Sequence, residues 1–195
     1  MLELLKNTLR PFITGYLVKG EGQVYHSVQM NSNVAFQEVC VDNLAIKRVL
    51  LPDKNEKTRI NKLLIYNMSS KTIETKMRVH YYMNSGCMMP FVYYSPHYEA
   101  MVACANDIYY VTGGMSQEGG PIQYQTNMND MNASTGSNAT KAVYQPLTKH
   151  SDGWSLTFNL RLLPYDQTYM YDWELSHTEL VNLEKEHLAL RQLFN

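Results

Sequence analysis

The sequence predicts an all-β fold: a two-sheet, mostly antiparallel β-sandwich of about a dozen strands that ends in one C-terminal amphipathic helix. Short segments with apolar residues at every second position recur along most of the 195 residues, as in strands with one buried face. Breaks rich in Gly, Asn, Asp, Ser or Pro separate these segments. No helical pattern stands between the strands to provide the crossovers of a parallel sheet, so antiparallel pairing is expected.

The clearest pattern lies in residues 58–83. Two apolar-rich runs, residues 60–66 and 72–83, flank a polar break at residues 67–71. In the second run an apolar face alternates with a polar face formed by Glu74, Lys76, Arg78 and His80. A break of this length is typical of a hairpin loop, so the two runs are predicted to form a β-hairpin with one buried and one wet face.

The same criteria predict the other strands. They lie at residues 12–19, 23–30, 34–41, 44–51, 91–94, 99–105, 108–112, 153–163 and 167–174. Only Asn106 and Asp107 separate two of these runs, which predicts a second hairpin. Residues 119–141 are rich in Asn, Gly, Ser and Thr, and this composition favours a mobile loop over a functional one.

The period changes near the C-terminus. Ser176 and Glu179 have the spacing of a capping box. Behind them, an apolar stripe at helical spacing is formed by Leu180, Leu183, His187, Leu190 and Phe194. This apolar stripe is expected to pack against another surface, which either the sandwich or a partner could supply. We therefore divide the chain into a β-sandwich domain, residues 1–175, and a linker-like C-terminal helix, residues 176–195.

The composition and the absence of known motifs limit the classes of partner and cofactor that the sequence predicts. With a net charge of −1 the chain has no strong electrostatic attraction to nucleic acid or to an anionic membrane, so neither is an expected partner. The sequence has no P-loop, GxGxxG, HExxH or GxSxG motif, and no cofactor is predicted. The N-terminus lacks the features of a secretory signal, so a cytoplasmic location is expected.

The three cysteines, Cys40, Cys87 and Cys104, do not have the spacing of a zinc site or of a disulfide framework. No metal site is predicted. Cys40 and Cys104 stand in apolar strand-like runs and are predicted to be buried thiols.

Two groups of residues were weighed as catalytic sites. His97 and Glu99 could support acid–base chemistry, particularly if His80 lay nearby across a sheet, but a polar strand edge is the favoured interpretation. His150, Ser151 and Asp152 contain the residue types of a hydrolytic triad. Adjacent residues cannot converge on one atom, so a turn is favoured. No catalytic residue is predicted.

Aromatic residues are the candidate substrate-binding residues, because exposed rings can stack on sugar rings. The set is Tyr93, Tyr94, Tyr98, Tyr110 and Trp154, drawn from a larger group that includes Tyr109, Tyr124 and Trp173. Neighbours such as Tyr93 and Tyr94 place one ring on each face of a strand, so at most half of the group can share a surface. The alternative is that these rings form core and amphipathic edges.

The order of these segments resembles a known module. The stretches that carry the resemblance are AIKRVLLPDKNEKTRINKLLIYNMSSKTIETKMRVHYYM, FVYYSPHYEAMVACANDIYYVTGG, SLTFNLRLL and WELSHTELVNLEKEHLALRQLFN. Together they resemble the N-terminal β-sandwich ("supersandwich") domain of bacterial glucoamylase-like glycoside hydrolases and their glycoside-phosphorylase relatives, with its helical linker. In that family the catalytic acids lie in a following (α/α) barrel, which has no counterpart in this sequence. The resemblance therefore implies a non-catalytic module that packs against a catalytic domain.

Three functions remain open at this stage. The first is the accessory module of a carbohydrate-active enzyme, not catalytic on its own, with a helical catalytic domain or partner protein docking on the C-terminal helix. The second is an independent carbohydrate-binding module that uses the Tyr and Trp residues to hold a glycan. The third is a structural or assembly protein.

Overall fold

The computed structural model describes residues 12–20, 24–30, 34–52, 57–84, 88–127 and 145–195. Within these ranges it confirms the predicted fold class, with two antiparallel sheets and a C-terminal helix. The strands are β1 Phe12–Lys19, β2 Tyr25–Val28, β3 Phe36–Val41, β4 Leu44–Leu51, β5 Thr58–Asn67, β6 Ile73–Met83, β7 Phe91–Ser95, β8 Ala100–Ala105, β9 Ile108–Ser116, β10 Gln123–Gln125, β11 Leu147–Thr148, β12 Gly153–Leu162 and β13 Gln167–His177. The helix, α1, is Leu180–Phe194.

The strands divide into a five-stranded sheet and an eight-stranded sheet. Their orders are β10-β12-β6-β1-β2 and β11-β7-β8-β9-β13-β5-β4-β3. The main apolar core lies between the sheets, and Tyr81, Trp154 and Phe158 are among its largest buried side chains. A second apolar cluster, which includes Trp173 and Leu183, lies between α1 and the outer face of the eight-stranded sheet. The molecule thus has three layers: sheet, sheet and helix.

The first predicted hairpin is wrong. β5 pairs with β13 and β4 in the eight-stranded sheet, whereas β6 pairs with β1 and β12 in the five-stranded sheet. The break between them crosses from one sheet to the other. Buried Asn67 stabilises this crossing: its amide donates to the carbonyls of Lys71 at 2.7 Å and Leu163 at 2.9 Å. A period of two shows that each strand has a buried face, but it does not identify the strand's neighbours.

The predicted wet face of β6 is only partly wet. Arg78 and His80, both expected to face water, are 8% and 1% exposed. The Arg78 guanidinium lies 4.5 Å from the centre of the Tyr25 ring and donates to Thr157 Oγ1 at 3.2 Å. Because β6 lies in the middle of its sheet, side chains on the neighbouring strands can cover part of its outer face.

The second predicted hairpin is confirmed. β8 pairs with β9, and Ala105 lies opposite Ile108. Asn106 and Asp107 have φ angles of 53° and 60°, the left-handed pair that a two-residue hairpin turn of type I′ requires.

Part of the predicted mobile loop is sheet. Within residues 119–141, β10 pairs with β12; after that loop, β11 pairs with β7, and neither short strand was predicted. Residues 128–141 of that loop lie outside the described residues. The prediction of two buried thiols is also corrected, because Cys40 is exposed on the edge strand β3 and Cys104 is partly buried. Cys87 lies outside the described ranges.

The predicted capping box does not form. β13 continues to His177, so Ser176 lies in a strand, where it pairs with Tyr110. Its hydroxyl donates to the carbonyl of Lys57 at 3.2 Å instead of capping a helix. Residue Glu179 takes the N-cap position and makes no side-chain cap. The residues that the local pattern assigned to the start of the helix therefore belong to a strand, because their pairing with the neighbouring strand prevails over the local signal.

The apolar stripe of α1 packs on this chain's own sandwich. Leu183 is fully buried, and Leu190 and Phe194 pack against the same cluster on the eight-stranded sheet. This outcome favours the first of the two surfaces left open for the stripe. Val181 and Leu193 remain 59% and 72% exposed on other sides of the helix. The boundary between residues 175 and 176 stays a prediction.

Candidate functional site

The five candidate substrate-binding residues do not share one surface. Tyr93 and Tyr98 pack against the cluster under α1, whereas Tyr94 and Tyr110 pack against the core between the sheets. Trp154 lies inside that core at 1% exposure, and its indole donates to Thr112 Oγ1 at 2.9 Å. A ring enclosed in this way cannot stack on a sugar at the surface, so Trp154 is a core residue here. For the four tyrosines, glycan binding stays a prediction.

The structure separates His80 from His97 and Glu99, and the latter two residues lie in a turn and not on the predicted strand edge. His97 and Glu99 lie in the turn between β7 and β8 of the eight-stranded sheet, whereas His80 lies on the outer face of the other sheet. The hydroxyl oxygen of Ser151 is buried and lies 2.7 Å from the carbonyl oxygens of Thr126 and Gly153, one of which accepts its hydrogen. The favoured turn interpretation of residues 150–152 therefore agrees with the hydrogen bonds.

An aromatic surface that was not predicted lies on the outer face of the eight-stranded sheet. We define the aromatic row as Tyr66 on β5 with Tyr169 and Tyr171 on β13. Tyr66 and Tyr169 are 40% and 38% exposed. Tyr171 stacks on Phe194 of α1, with ring centres 4.0 Å apart. The signal in the sequence was the alternation in QTYMYDW, which places Tyr169, Tyr171 and Trp173 on one face.

Lys62 stands beside this row. Its ammonium lies 5.7 Å from the centre of the Tyr169 ring and 5.5 Å from that of Tyr171. These distances fall within the range of a cation–π interaction. The aromatic row therefore combines exposed ring faces with the positive charge of Lys62.

A polar contact fixes α1 next to the row. The indole of Trp173 donates to His187 Nδ1 at 3.0 Å, so the ring hydrogen of His187 is on Nε2, which donates to the Tyr98 carbonyl at 2.7 Å. Arg191 also donates to that carbonyl and pairs with Glu99 at 2.8 Å. We call this set, Trp173, His187, Tyr98, Arg191 and Glu99, the helix clasp. It holds α1 against the turn between β7 and β8.

We expect acid to weaken the helix clasp. Burial lowers the pKa of His187 to about 4, with Arg191 adding to the effect and the bond to the Tyr98 carbonyl opposing it. A pKa lowered in the folded state gives stability that is complete above the unfolded value near 6.5 and is lost as pH falls toward 4. Between pH 7 and pH 4.5, protonation linked to His187 should lower the wild type's free energy of unfolding by roughly 2 kcal/mol. Urea unfolding followed by Trp fluorescence would measure this loss.

His187→Gln is the matching variant, because an amide can replace both hydrogen bonds without titrating. We expect it to show a smaller loss between pH 7 and 4.5 than the wild type. Some loss should remain, since burial also lowers the pKa of His80, to about 3. The exposed His97, changed to Gln, is the control and should keep the wild-type loss. An unchanged loss in His187→Gln would contradict the assignment.

Two carboxylates lie in the core between the sheets. Asp172 accepts from Tyr16 at 3.0 Å and from Asn61 at 2.8 Å, and Thr14 donates to Glu174. Burial raises the pKa of Asp172 to about 7, and the neighbouring hydrogen bonds oppose that rise. Paired acids are the usual machinery of glycoside hydrolysis. Here, however, Asp172 and Glu174 are 0% and 3% exposed, so a glycan cannot reach them and their role is structural.

Neither a metal centre nor a membrane-spanning helix is found in the described part of the chain. No group of three or more His, Cys, Asp or Glu side chains is placed to hold a metal ion there. Among the same residues, no helix has the length and apolar character needed to cross a membrane.

Comparison with known proteins shows a shared fold. No protein-family model matches the chain, and no curated sequence matches it. A polysaccharide lyase matches 90% of this chain and 27% of its own length, with a TM-score of 0.56 and 10% identity. A protein assigned as a kojibiose phosphorylase from the human microbiome matches 91% of this chain and 24% of its own, with a TM-score of 0.50 and 9% identity. The chain thus spans about a quarter of each solved structure and shares the β-sandwich fold of that part.

Proposed function

We propose that this chain is a non-catalytic β-sandwich module of a carbohydrate-active enzyme related to glucoamylase-like hydrolases and glycoside phosphorylases, and that it packs against a helical catalytic domain. The observation that carries the proposal is the likeness of about nine-tenths of the chain to a polysaccharide lyase and a glycoside phosphorylase, of which it spans about a quarter. A fold that forms one part of larger enzymes suits an accessory role.

The exposed side of α1 supports docking of a further domain. The helix clasp fixes α1 to the sandwich, so the helix and the sheet present one surface. Val181 and Leu188, seven residues apart and therefore on one side of the helix, are 59% and 38% exposed. Exposed apolar side chains on a fixed helix favour contact with another protein surface.

The aromatic row favours a second function, glycan binding by the module itself. Exposed tyrosine rings provide an apolar face for a sugar ring and a hydroxyl for its polar groups. This role is compatible with the first, because the row lies on the sheet beside α1 and not on the exposed sides of the helix.

Recovery of the native protein tests the main proposal. An antibody raised against this chain would be used to purify it from its source cells, and the bound material would be assayed for hydrolysis, phosphorolysis and lyase cleavage of a polysaccharide panel. We expect activity in the native material and none in the purified 195-residue chain. Native material that consists of the chain alone and cleaves no polysaccharide would overturn the proposal.

A further inference from the structure

The outer face of the eight-stranded sheet has a covered half and an open half. α1 packs over β9 and β13, and Phe194 closes one end of the aromatic row by stacking on Tyr171. Beyond that point the face continues through β5, β4 and β3 to the edge of the sheet. Strand register places Tyr169 opposite Leu64 and Tyr66 opposite Gln167, so both exposed rings stand on this open half.

The two lysines on this open half differ in whether a carboxylate lies next to them. Lys47 faces the same way, but it pairs with Glu38 at 3.4 Å. Lys62 makes no ion pair with any carboxylate in the described ranges, and its ammonium lies over two tyrosine rings. The exposed rings are therefore accompanied by one uncompensated positive charge, which favours an anionic occupant.

We propose that the aromatic row and Lys62 form a binding surface for an acidic oligosaccharide, one whose sugar rings carry carboxylates. The Tyr66 and Tyr169 rings would stack on the apolar faces of successive sugars, and Lys62 would pair with a carboxylate. Tyr66 lies opposite Gln167, two residues from Tyr169, so the two rings are offset by about 7 Å along the strands and about 5 Å across them, on the order of the spacing of successive sugar rings. This inference rests on the proposed function.

Native gel electrophoresis in gels that contain a polysaccharide tests the surface. The acidic polymers would be alginate, polygalacturonate and hyaluronan, and the neutral ones starch and xyloglucan. We expect the acidic gels to slow the wild type, and Tyr66→Ala and Tyr169→Ala to raise the apparent Kd about tenfold. Lys62→Gln should weaken binding to acidic polymers and leave binding to neutral polymers unchanged.

Matched controls lie on the other sheet. Tyr82 is 43% exposed on the outer face of the five-stranded sheet, and Lys76 lies on the same strand. Relative to a gel without polysaccharide, Tyr82→Ala and Lys76→Gln should be slowed by each polymer to the same extent as the wild type. Because the net charge is −1, a general attraction of the whole chain to polyanions is not expected. Urea unfolding of each variant would show that the fold is intact.

The outcomes separate this inference from the proposed function. If acidic polymers slow Tyr66→Ala and Tyr169→Ala as much as the wild type, the aromatic row is not the binding surface. The chain would then bind carbohydrate at another surface. Equal slowing by neutral and acidic polymers, unchanged in Lys62→Gln, overturns the acidic ligand. Failure of every polysaccharide to slow the wild type overturns the inference as a whole, while activity in the native material would still support the accessory module.

Discussion

Gly114→Ala should lower the free energy of unfolding by about 3 kcal/mol, the largest effect we expect from a single methyl group in this chain. A Cβ at Gly114 would lie 2.6 Å from the Tyr171 carbonyl oxygen and 2.7 Å from Phe158 Cζ. The first contact is with the backbone of the paired strand β13, which cannot move without disturbing the ladder. Urea unfolding followed by Trp fluorescence would measure the loss.

Two glycines provide the comparison. A Cβ at Gly113 would lie 2.7 Å from His187 Cε1 and 2.8 Å from Trp173 Nε1, so Gly113→Ala should separate α1 from the sheet at a cost of about 2 kcal/mol. At Gly15 the nearest atom would be Tyr82 Cε2 at 3.8 Å, an ordinary contact. Gly15→Ala should therefore stay within about 0.5 kcal/mol of the wild type. Equal losses at Gly15 and Gly114 would show that close packing is not the cause.

Asp172→Ala should destabilise the protein by about 3 kcal/mol, because it leaves the Tyr16 hydroxyl and the Asn61 amide without their acceptor in a closed core. Asp172→Asn keeps the size and one acceptor oxygen, so a loss of about 1 kcal/mol is expected at pH 5. Asp166→Asn, at an exposed aspartate, is the control and should change little.

The pH dependence of Asp172→Asn gives a second measurement. The pKa of Asp172 is raised to about 7 from 3.8, so its contribution is complete below pH 3.8 and is lost as pH rises through 7. The asparagine variant has no such loss. Over pH 5 to 8 the wild type should lose roughly 2.5 kcal/mol relative to the variant, so its advantage of about 1 kcal/mol at pH 5 should become a deficit by pH 8. A wild type that gains stability relative to the variant over this range would mean that the carboxyl group is ionised in the fold throughout.

Alternation predicted strand positions closely where one face is buried. β1 and β4 agree with their predicted ranges, and β12 differs by one residue at its end. Short strands such as β10 could not be recognised, because three residues do not establish a period and their composition is that of a loop. The hairpin between β5 and β6 was wrong because a local turn and a crossing between sheets have the same sequence signature.

The candidate site was predicted less well than the fold. Of the predicted aromatic residues, Trp154 is core and Tyr93 and Tyr94 contact different clusters, and glycan binding by the tyrosines stays a prediction. Tyr66, Tyr169 and Lys62 come together only because β5 and β13 are neighbours across more than a hundred residues. The same pairing places Asp172 opposite Asn61, and packing of the two sheets brings Tyr16 of β1 to the same carboxylate; the alternating pattern gave no reason to place these residues together.

The sequence by itself determined that this protein has an antiparallel β architecture with a C-terminal helix, because the spacing of apolar residues shows which face of each strand or helix is buried. Only the tertiary structure decided which strands are neighbours, which tyrosines stay exposed and where α1 rests. The physical reason is that burial of one face is a local property of a strand, whereas pairing partners and the closure of a surface depend on contacts between distant segments.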